Sequence, residues 1–133
     1  QPVRLTNKGE KALMEKNGDF VWITHFPRLG VPFYQASKTD EDVSLCADLL
    51  CGIGETVGAG QRNFGFKETL KELGDRGVDP AHYGWYLRMK RDYPLQTSGF
   101  GMGIERLLLW VLNHDDIRDV PIIARMKGTD SEP

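Results

Sequence analysis

The segment from Gly99 to Arg106 combines residue types that suit binding of a phosphorylated ligand. Its sequence, Gly-Phe-Gly-Met-Gly-Ile-Glu-Arg, places glycine at alternate positions and ends on an arginine. Glycine at every second position of a strand removes side chains from one face, so a flat ligand can lie against the backbone. Arg106 follows in the first turn of a predicted helix, where the helix dipole and the guanidinium fork both favour a phosphate. The alternative is a glycine-rich bend under a helix, with Arg106 on the surface.

The segment from Ala47 to Arg62 carries acidic residues in an apolar setting. Asp48 and Glu55 lie in otherwise apolar predicted strands on either side of a turn. Buried carboxylates without partners are costly, so we expect them to meet cations or hydrogen-bond donors. Oxygen ligands of this kind suit Mg²⁺ that bridges nucleotide phosphates, and Arg62 is suited to pair with a substrate carboxylate. The alternative is an internal salt bridge between Glu55 and Arg62.

Short strands and helices must position these residues. Strands are predicted at Phe20–Phe26, Pro32–Gln35, Ser44–Cys51, Glu55–Val57 and Val120–Ala124, with a polar connector at 36–43 and a strand or turn at 99–103. Helices are predicted at 8–16, 66–76, 80–92 and 104–112. The turns between the central strands are too short for parallel crossovers. We therefore predict an α+β fold, a mostly antiparallel sheet flanked by helices that pack against it.

Composition limits the class of protein. The chain has 133 residues, of which 40% are hydrophobic, and a formal net charge of −2. This suits one globular domain or part of one, and it does not suggest a broad basic face for nucleic acid. No apolar run approaches the ~20 residues of a membrane span. Cys46 and Cys51 match no zinc or disulfide pattern, which predicts free thiols and a cytoplasmic protein.

A series of motifs follows one order along residues 20–128. They are Phe26-Pro27, Pro32-Phe33-Tyr34, Asp48, Gly54-Glu55, Gly58, Gln61-Arg62, Tyr86, Arg91, Gly99–Arg106 and Asp116-Ile-Arg118. This order resembles the class II aspartyl-/asparaginyl-tRNA synthetases, and the glycine-rich run is similar to the third signature motif of that class. The resemblance implies the C-terminal half of a class II catalytic domain, preceded by a polar segment at 1–19 and followed by a tail at 129–133.

The resemblance also implies roles for individual residues. ATP would be bound by Glu55, Gly101, Gly103, Ile104, Glu105 and Arg106, with Arg106 on the γ-phosphate. Mg²⁺ would be held by Glu55 with help from Asp48. Arg62 would bind the amino-acid substrate, and His25 or Arg28 would read its side-chain amide or carboxylate. For His25 the alternative is an ordinary hydrogen-bonded residue of a strand.

The implied reaction is attack of an aspartate or asparagine carboxylate on the α-phosphate of ATP, which gives an acyl-adenylate and pyrophosphate. Positioning and charge neutralisation by Mg²⁺ and arginines would do most of this work. The second signature motif, expected upstream of Phe20, is missing, as are the dimer-forming first motif and an anticodon-binding domain. We therefore expect a piece of a larger homodimeric protein. An upstream half-domain or partner chain would complete its site, and its tRNA surface would lie outside this chain.

Two departures from the family leave other interpretations open. Ile123-Ala124-Arg125 replaces the usual Phe-Pro-Arg, and Gly58 replaces the serine usual in aspartyl enzymes, which favours an asparaginyl type. A tRNA-independent relative of the asparagine-synthetase-like type would instead pass the adenylate to ammonia or an amine. A non-catalytic module that keeps the fold is a third possibility. The presence of Glu55, Arg62 and Arg106 together argues against this third possibility.

Overall fold

The computed structural model describes residues 5–38 and 40–123. Its strands are β1 (Val21–Thr24), β2 (Ser37–Lys38), β3 (Val43–Ser44), β4 (Cys46–Cys51), β5 (Gly54–Gln61) and β6 (Ser98–Met102). Its α-helices are α1 (Asn7–Asn17), α2 (Phe66–Asp75), α3 (Gly84–Asp92) and α4 (Ile104–Val111). Four strands form one antiparallel sheet in the order β1-β4-β5-β6, and β2 pairs with β3 in a separate ribbon. The predicted α+β fold with a mostly antiparallel sheet is confirmed.

Local signals explain where the helices begin and end. Thr6 caps α1 because its hydroxyl accepts a hydrogen bond from the Gly9 amide at 3.2 Å, and Gly18 ends the helix at φ +107°. Such a positive φ favours glycine over residues with a Cβ. The predicted helix at 80–92 proves to be two elements. Pro80–Tyr83 form a 3₁₀ turn capped by Asp79, and α3 begins only at Gly84.

The core is small and joins the sheet to the helices. Its least exposed large side chains are Leu50 of β4, Leu73 of α2 and Leu109 of α4. Helices α2 and α3 pack against each other, whereas α1 lies against β1, β4 and β5. Cys46 and Cys51 are both free thiols, as predicted.

A buried ionic cluster ties the loop after β1 to α2. The Arg28 guanidinium donates to Asp42 at 3.0 Å, to Glu72 at 3.0 Å and to Asp75 at 2.7 Å. Arg76 also donates to the Glu72 carboxylate and to the main-chain carbonyl of Arg28. Only 5% of the Glu72 side chain is exposed, and two cations surround it. The cluster therefore fixes the path of the loop that leads toward Tyr34.

Two predicted strands are wrong, and one strand was missed. Residues 32–35 form a turn in which the Gln35 amide donates to the Pro32 carbonyl at 3.1 Å, and only Gln35 makes a bridge, to Arg62. Residues 120–123 form bends instead of a strand, while Ala124 lies outside the described residues. The supposed connector at 36–43 contains β2, because the Ser37–Lys38 pair finds its partner in β3. Among the described residues, no helix has the length and apolar character needed to cross a bilayer.

Candidate active site

Four glycines leave one face of the sheet as bare backbone. The register places Gly58 of β5 opposite Gly101 of β6, and Gly60 opposite Gly99. Residues directly opposite each other in an antiparallel pair point to the same face, so these glycines form one patch. A Cβ added at Gly99 or Gly101 would meet nothing within 4 Å, so the β6 side of the patch opens onto free space, whereas the Gln35 side chain lies over Gly60. Its shape suits a flat ligand.

Two carboxylates converge at one edge of this glycine patch. A Cβ added at Gly58 would lie 3.1 Å from Oε1 of Glu55 and 3.6 Å from Oδ1 of Asp48. A third carboxylate, Glu10 of α1, accepts a hydrogen bond from the Glu55 amide at 3.1 Å. Burial, followed by the charges of Glu55 and Glu10, raises the pKa of Asp48 to about 6. The edge thus holds an excess of negative charge.

The acidic edge matches the way Mg²⁺ binds between protein and nucleotide. Within the described residues, no group of three histidine, cysteine or acidic side chains is placed to chelate a metal. A cation held by Asp48 and Glu55 would take two hard oxygen ligands from these side chains and its remaining ligands from other oxygens. Mg²⁺ usually takes one or two carboxylates and completes its shell with phosphates and water. The donor set fits this cation.

The peptide of Glu55 is held from both sides. Glu10 accepts its N–H, and Nη1 of Arg106 donates to its carbonyl oxygen. Gly54 leaves room for this arrangement, because a Cβ there would lie 2.4 Å from Oε2 of Glu10. We call these two contacts the Glu55 clamp. They leave the carboxylate of Glu55 free to face the cavity, and they bring Arg106 next to the acidic edge.

The remaining residues expected to bind ATP lie where β6 passes into α4. The Gly103 amide donates to the Thr56 carbonyl at 3.0 Å, which fixes the start of α4 against β5. The Arg106 side chain lies close to Gly103, since a Cβ there would be 3.4 Å from its Cδ. Ile104 and Glu105 are both exposed at the first turn of α4. The backbone of this turn and Arg106 thus border the glycine patch.

A cavity of about 510 Å³ joins the acidic edge to Arg62. Nη1 of Arg62 donates to Oε1 of Gln35 at 2.6 Å, and its guanidinium carbon lies 4.9 Å from the centre of the Tyr34 ring. Arg62 pairs with no described carboxylate, so the alternative salt bridge with Glu55 does not form. Its charge is therefore available to a ligand oxygen in the cavity.

His25 and Arg28 lie apart from this cavity. His25 adopts φ +60°, bonds to the Thr24 hydroxyl at 2.8 Å and lines a separate cavity of about 650 Å³ beside Phe100. Arg28 is held in the ionic cluster, where the hydrogen bond to Asp42 chiefly raises its pKa. The structure therefore does not bring either residue to Arg62.

Two residues at the site were not expected from the sequence, Glu10 and Gln35. Glu10 belongs to a polar helix without clear periodicity, and its contact with Glu55 spans 45 residues. Gln35 lies in a segment predicted as a strand, and it reaches Arg62 across 27 residues. No local pattern marks either residue, because only the tertiary fold brings them to the cavity.

Comparison with known sequences points to one family. A family model described as "tRNA synthetases class II (D, K and N)" matches residues 3–127. The chain is similar to the asparagine–tRNA ligase of Pyrococcus furiosus, with 34% identity over 119 residues, which cover 87% of this chain and 27% of the relative. It is also similar to that of Clostridium kluyveri, with 32% identity over 129 residues, which cover 96% of this chain and 28% of the relative. The chain thus spans less than a third of the length of these relatives.

Solved structures agree with the sequence comparison. Asparaginyl-tRNA synthetase from Pyrococcus horikoshii superposes with a TM-score of 0.88 at 30% identity, over 96% of this chain and 31% of that chain. The enzyme from Entamoeba histolytica in complex with asparaginyl-adenylate also gives 0.88, at 28% identity, over 98% of this chain and 30% of that chain. A putative aspartyl-tRNA synthetase from Leishmania major shares the fold, with a TM-score of 0.88 at 21% identity.

Proposed function

The chain belongs to the class II tRNA synthetases (D, K and N), a family of ligases, and we propose that it carries part of a site that activates aspartate or asparagine with ATP. The observation that carries the proposal is that Asp48, Glu55 and Arg62 line one cavity, and that Arg106 contacts the main-chain carbonyl of Glu55. A fold alone does not require two carboxylates and two arginines to be placed there without pairing with one another. These charges match a triphosphate, its cation and an amino acid.

In this proposal Glu55 and Asp48 would hold Mg²⁺ at the acidic edge, where the cation would offset the charge of the ATP phosphates. Arg106 keeps most of its donors free after bonding to the Glu55 carbonyl, because a guanidinium has five N–H groups. It would bind the γ-phosphate through that fork. The glycine patch, with Gly101 and Gly103, would receive the flat adenine and its ribose.

Arg62 would bind the amino acid at the other end of the cavity. A carboxylate oxygen of the substrate would then attack the α-phosphorus as the bond to pyrophosphate breaks, which gives the acyl-adenylate. No side chain is asked to form a covalent bond. The chain contributes by holding the two substrates in line and by placing charge where it develops.

Further parts of the larger enzyme would complete the site. The chain covers less than a third of its relatives. The face of the sheet opposite the glycine patch is apolar and open. On that face Trp22, Phe100 and Met102 are 58%, 71% and 40% exposed. We propose that an upstream half-domain or a partner chain covers it, and that tRNA binding and homodimer formation depend on segments beyond this chain.

ATP–pyrophosphate exchange tests the proposal. The full-length gene product that contains this chain should catalyse exchange in the presence of aspartate or asparagine. Arg106→Ala should abolish exchange while the circular dichroism spectrum and melting temperature stay close to those of the wild type. Arg88→Ala, which removes an exposed arginine of α3, is the matched control and should keep exchange. Full exchange by Arg106→Ala would refute the nucleotide role.

The acceptor can be identified with the same protein. Charging of tRNA would identify a tRNA ligase, whereas amide formation with added ammonium, in the absence of tRNA, would identify the tRNA-independent type. Binding of ATP without exchange for any amino acid would indicate a module that only binds.

A further inference from the structure

We propose that Gln35 is a positioning residue for substrate recognition: it orients Arg62 and leaves the positive charge of Arg62 unneutralised, so that Arg62 can bind an oxygen of the amino acid. This inference rests on the proposed function. It adds a residue that neither the motifs nor the resemblance indicates.

The contact between the two side chains is short and supported from several sides. Oε1 of Gln35 accepts from Nη1 of Arg62 at 2.6 Å, and the Tyr34 ring covers the guanidinium at 4.9 Å. The backbones are also in register, since the Ala36 amide donates to Gln61 at 2.8 Å and the Asn63 amide donates to Tyr34 at 3.0 Å. Backbone hydrogen bonds on both sides of the contact therefore join the turn that carries Gln35 to the end of β5 that precedes Arg62.

Gly60 provides the space that this arrangement needs. A Cβ added at Gly60 would lie 2.3 Å from Oε1 of Gln35 and 2.8 Å from its Cδ. No heavy atoms approach that closely without a shift, so any larger residue would displace the amide from its place above β5. Because Gly60 has no side chain, Gln35 can occupy the position from which it contacts Arg62.

The neutral character of Gln35 matters as much as its geometry. Arg62 is the only basic side chain among the described residues that line the cavity, which Glu10, Asp48 and Glu55 also line. Asp48 and Glu55 lie beside Gly58, four residues before Arg62 along the chain. A carboxylate in place of the Gln35 amide would neutralise this cation. The amide of Gln35 instead accepts from one of the five N–H groups of Arg62, and it leaves the charge and the other four donors for a ligand. The cavity therefore keeps one positive end, which suits the carboxylate or amide oxygen of the amino acid.

Three substitutions test this role in the full-length protein by exchange kinetics. Gln35→Leu removes the acceptor, Gln35→Glu neutralises Arg62, and Gly60→Ala displaces the side chain. Each should raise the KM for the amino acid by about tenfold or more, as expected for loss of a hydrogen bond to a charged group, and should leave the KM for ATP within about twofold. Gly74→Ala in α2, where an added Cβ meets nothing within 4 Å, is the control for glycine replacement.

Charge provides a readout that structural damage would not imitate. Gln35→Glu should weaken the use of aspartate more than that of asparagine, because aspartate carries a second carboxylate that the new carboxylate would also repel. An unchanged KM for the amino acid in Gln35→Glu, or an equal rise of the KM for ATP, would overturn the inference while wild-type exchange still upholds the proposed function. Absence of both exchange and amino-acid binding by calorimetry in the wild type would refute both.

Discussion

Replacement of Asp48 by asparagine should stabilise the protein at neutral pH and weaken its binding of Mg²⁺. Asp48 is half-buried in β4, beside Glu55 and within the field of Glu10, and its pKa is raised from 3.8 to about 6. An ionised carboxylate in that position is unfavourable in the absence of a cation. The amide of asparagine has similar shape and carries no charge.

The raised pKa sets the size and the sign of the effect. A rise of about 2 pKa units corresponds to about 3 kcal/mol, and solvent screening at a half-buried site reduces this to roughly 1–2 kcal/mol. The native state holds the proton of Asp48 more tightly than the unfolded state does. Stability from this group is therefore complete below pH 3.8, declines as the pH rises through about 6, and is absent at pH 7.

Urea unfolding at two pH values measures this effect. Asp48→Asn should unfold at higher urea than the wild type at pH 7.5, and the difference should nearly vanish at pH 4. Added Mg²⁺ should raise the stability of the wild type at pH 7.5 and that of the variant much less, since binding to the native state stabilises it. Asp92→Asn is the control, because Arg91 lowers the pKa of that exposed carboxylate. A variant that is destabilised at pH 7.5, or shifted equally at both pH values, would contradict this account of the acidic edge.

Three further substitutions address the clusters around the site. Glu72→Ala should cost about 2–4 kcal/mol in urea unfolding, because it leaves two largely buried guanidinium groups without their shared carboxylate. The exposed Lys71→Ala should cost less than about 0.5 kcal/mol. Leu109→Ala should cost about 2–5 kcal/mol by the same measurement, since Leu109 is fully buried. Glu10→Gln should lower exchange at limiting Mg²⁺ and lower the pKa of Asp48 as followed by NMR, because it removes a nearby negative charge.

Each of these expectations has an outcome that would contradict it. Equal losses in Glu72→Ala and Lys71→Ala would show that the ionic cluster does not hold the loop. A loss below about 1 kcal/mol in Leu109→Ala would show that α4 does not contribute to the core. An unchanged pKa of Asp48 in Glu10→Gln would show that Glu10 of α1 does not influence the acidic edge.

Local sequence signals predicted most of the fold. Apolar periodicity located α2 and α4 to within one or two residues, although neither helix has a side-chain N-cap. The Pro32–Gln35 segment has strand-forming residues, yet it forms a turn. Its partner at Arg62 offers only one bridge there. The polar pair Ser37–Lys38 became a strand for the opposite reason, since β3 supplies a partner that no local pattern reveals.

The site was only partly predictable, because local patterns do not reveal partners that are distant in the sequence. Glycine alternation and the acidic pair are spacings along a strand, so the sequence shows them directly. The ionic cluster of Arg28 and the contacts of Glu10 and Gln35 join residues that are 14 to 47 positions apart. The family resemblance implied that Arg28 reads the substrate side chain, and the sequence does not reveal the ionic partners that hold it elsewhere. Its partners became apparent only when α2 packed beside it.

The Glu55 clamp has a consequence for the order of assembly. One contact reaches back 45 residues to α1 and the other reaches forward 51 residues to α4. Loop closure over such separations is entropically costly and slow, so contacts of this kind form after local hairpins such as β4 and β5. The backbone around Glu55 therefore reaches its final geometry only when both flanking helices have docked. In a nascent chain whose α4 has not yet left the ribosome, the β4–β5 hairpin could form, but the acidic edge around Glu55 would not yet have its final geometry.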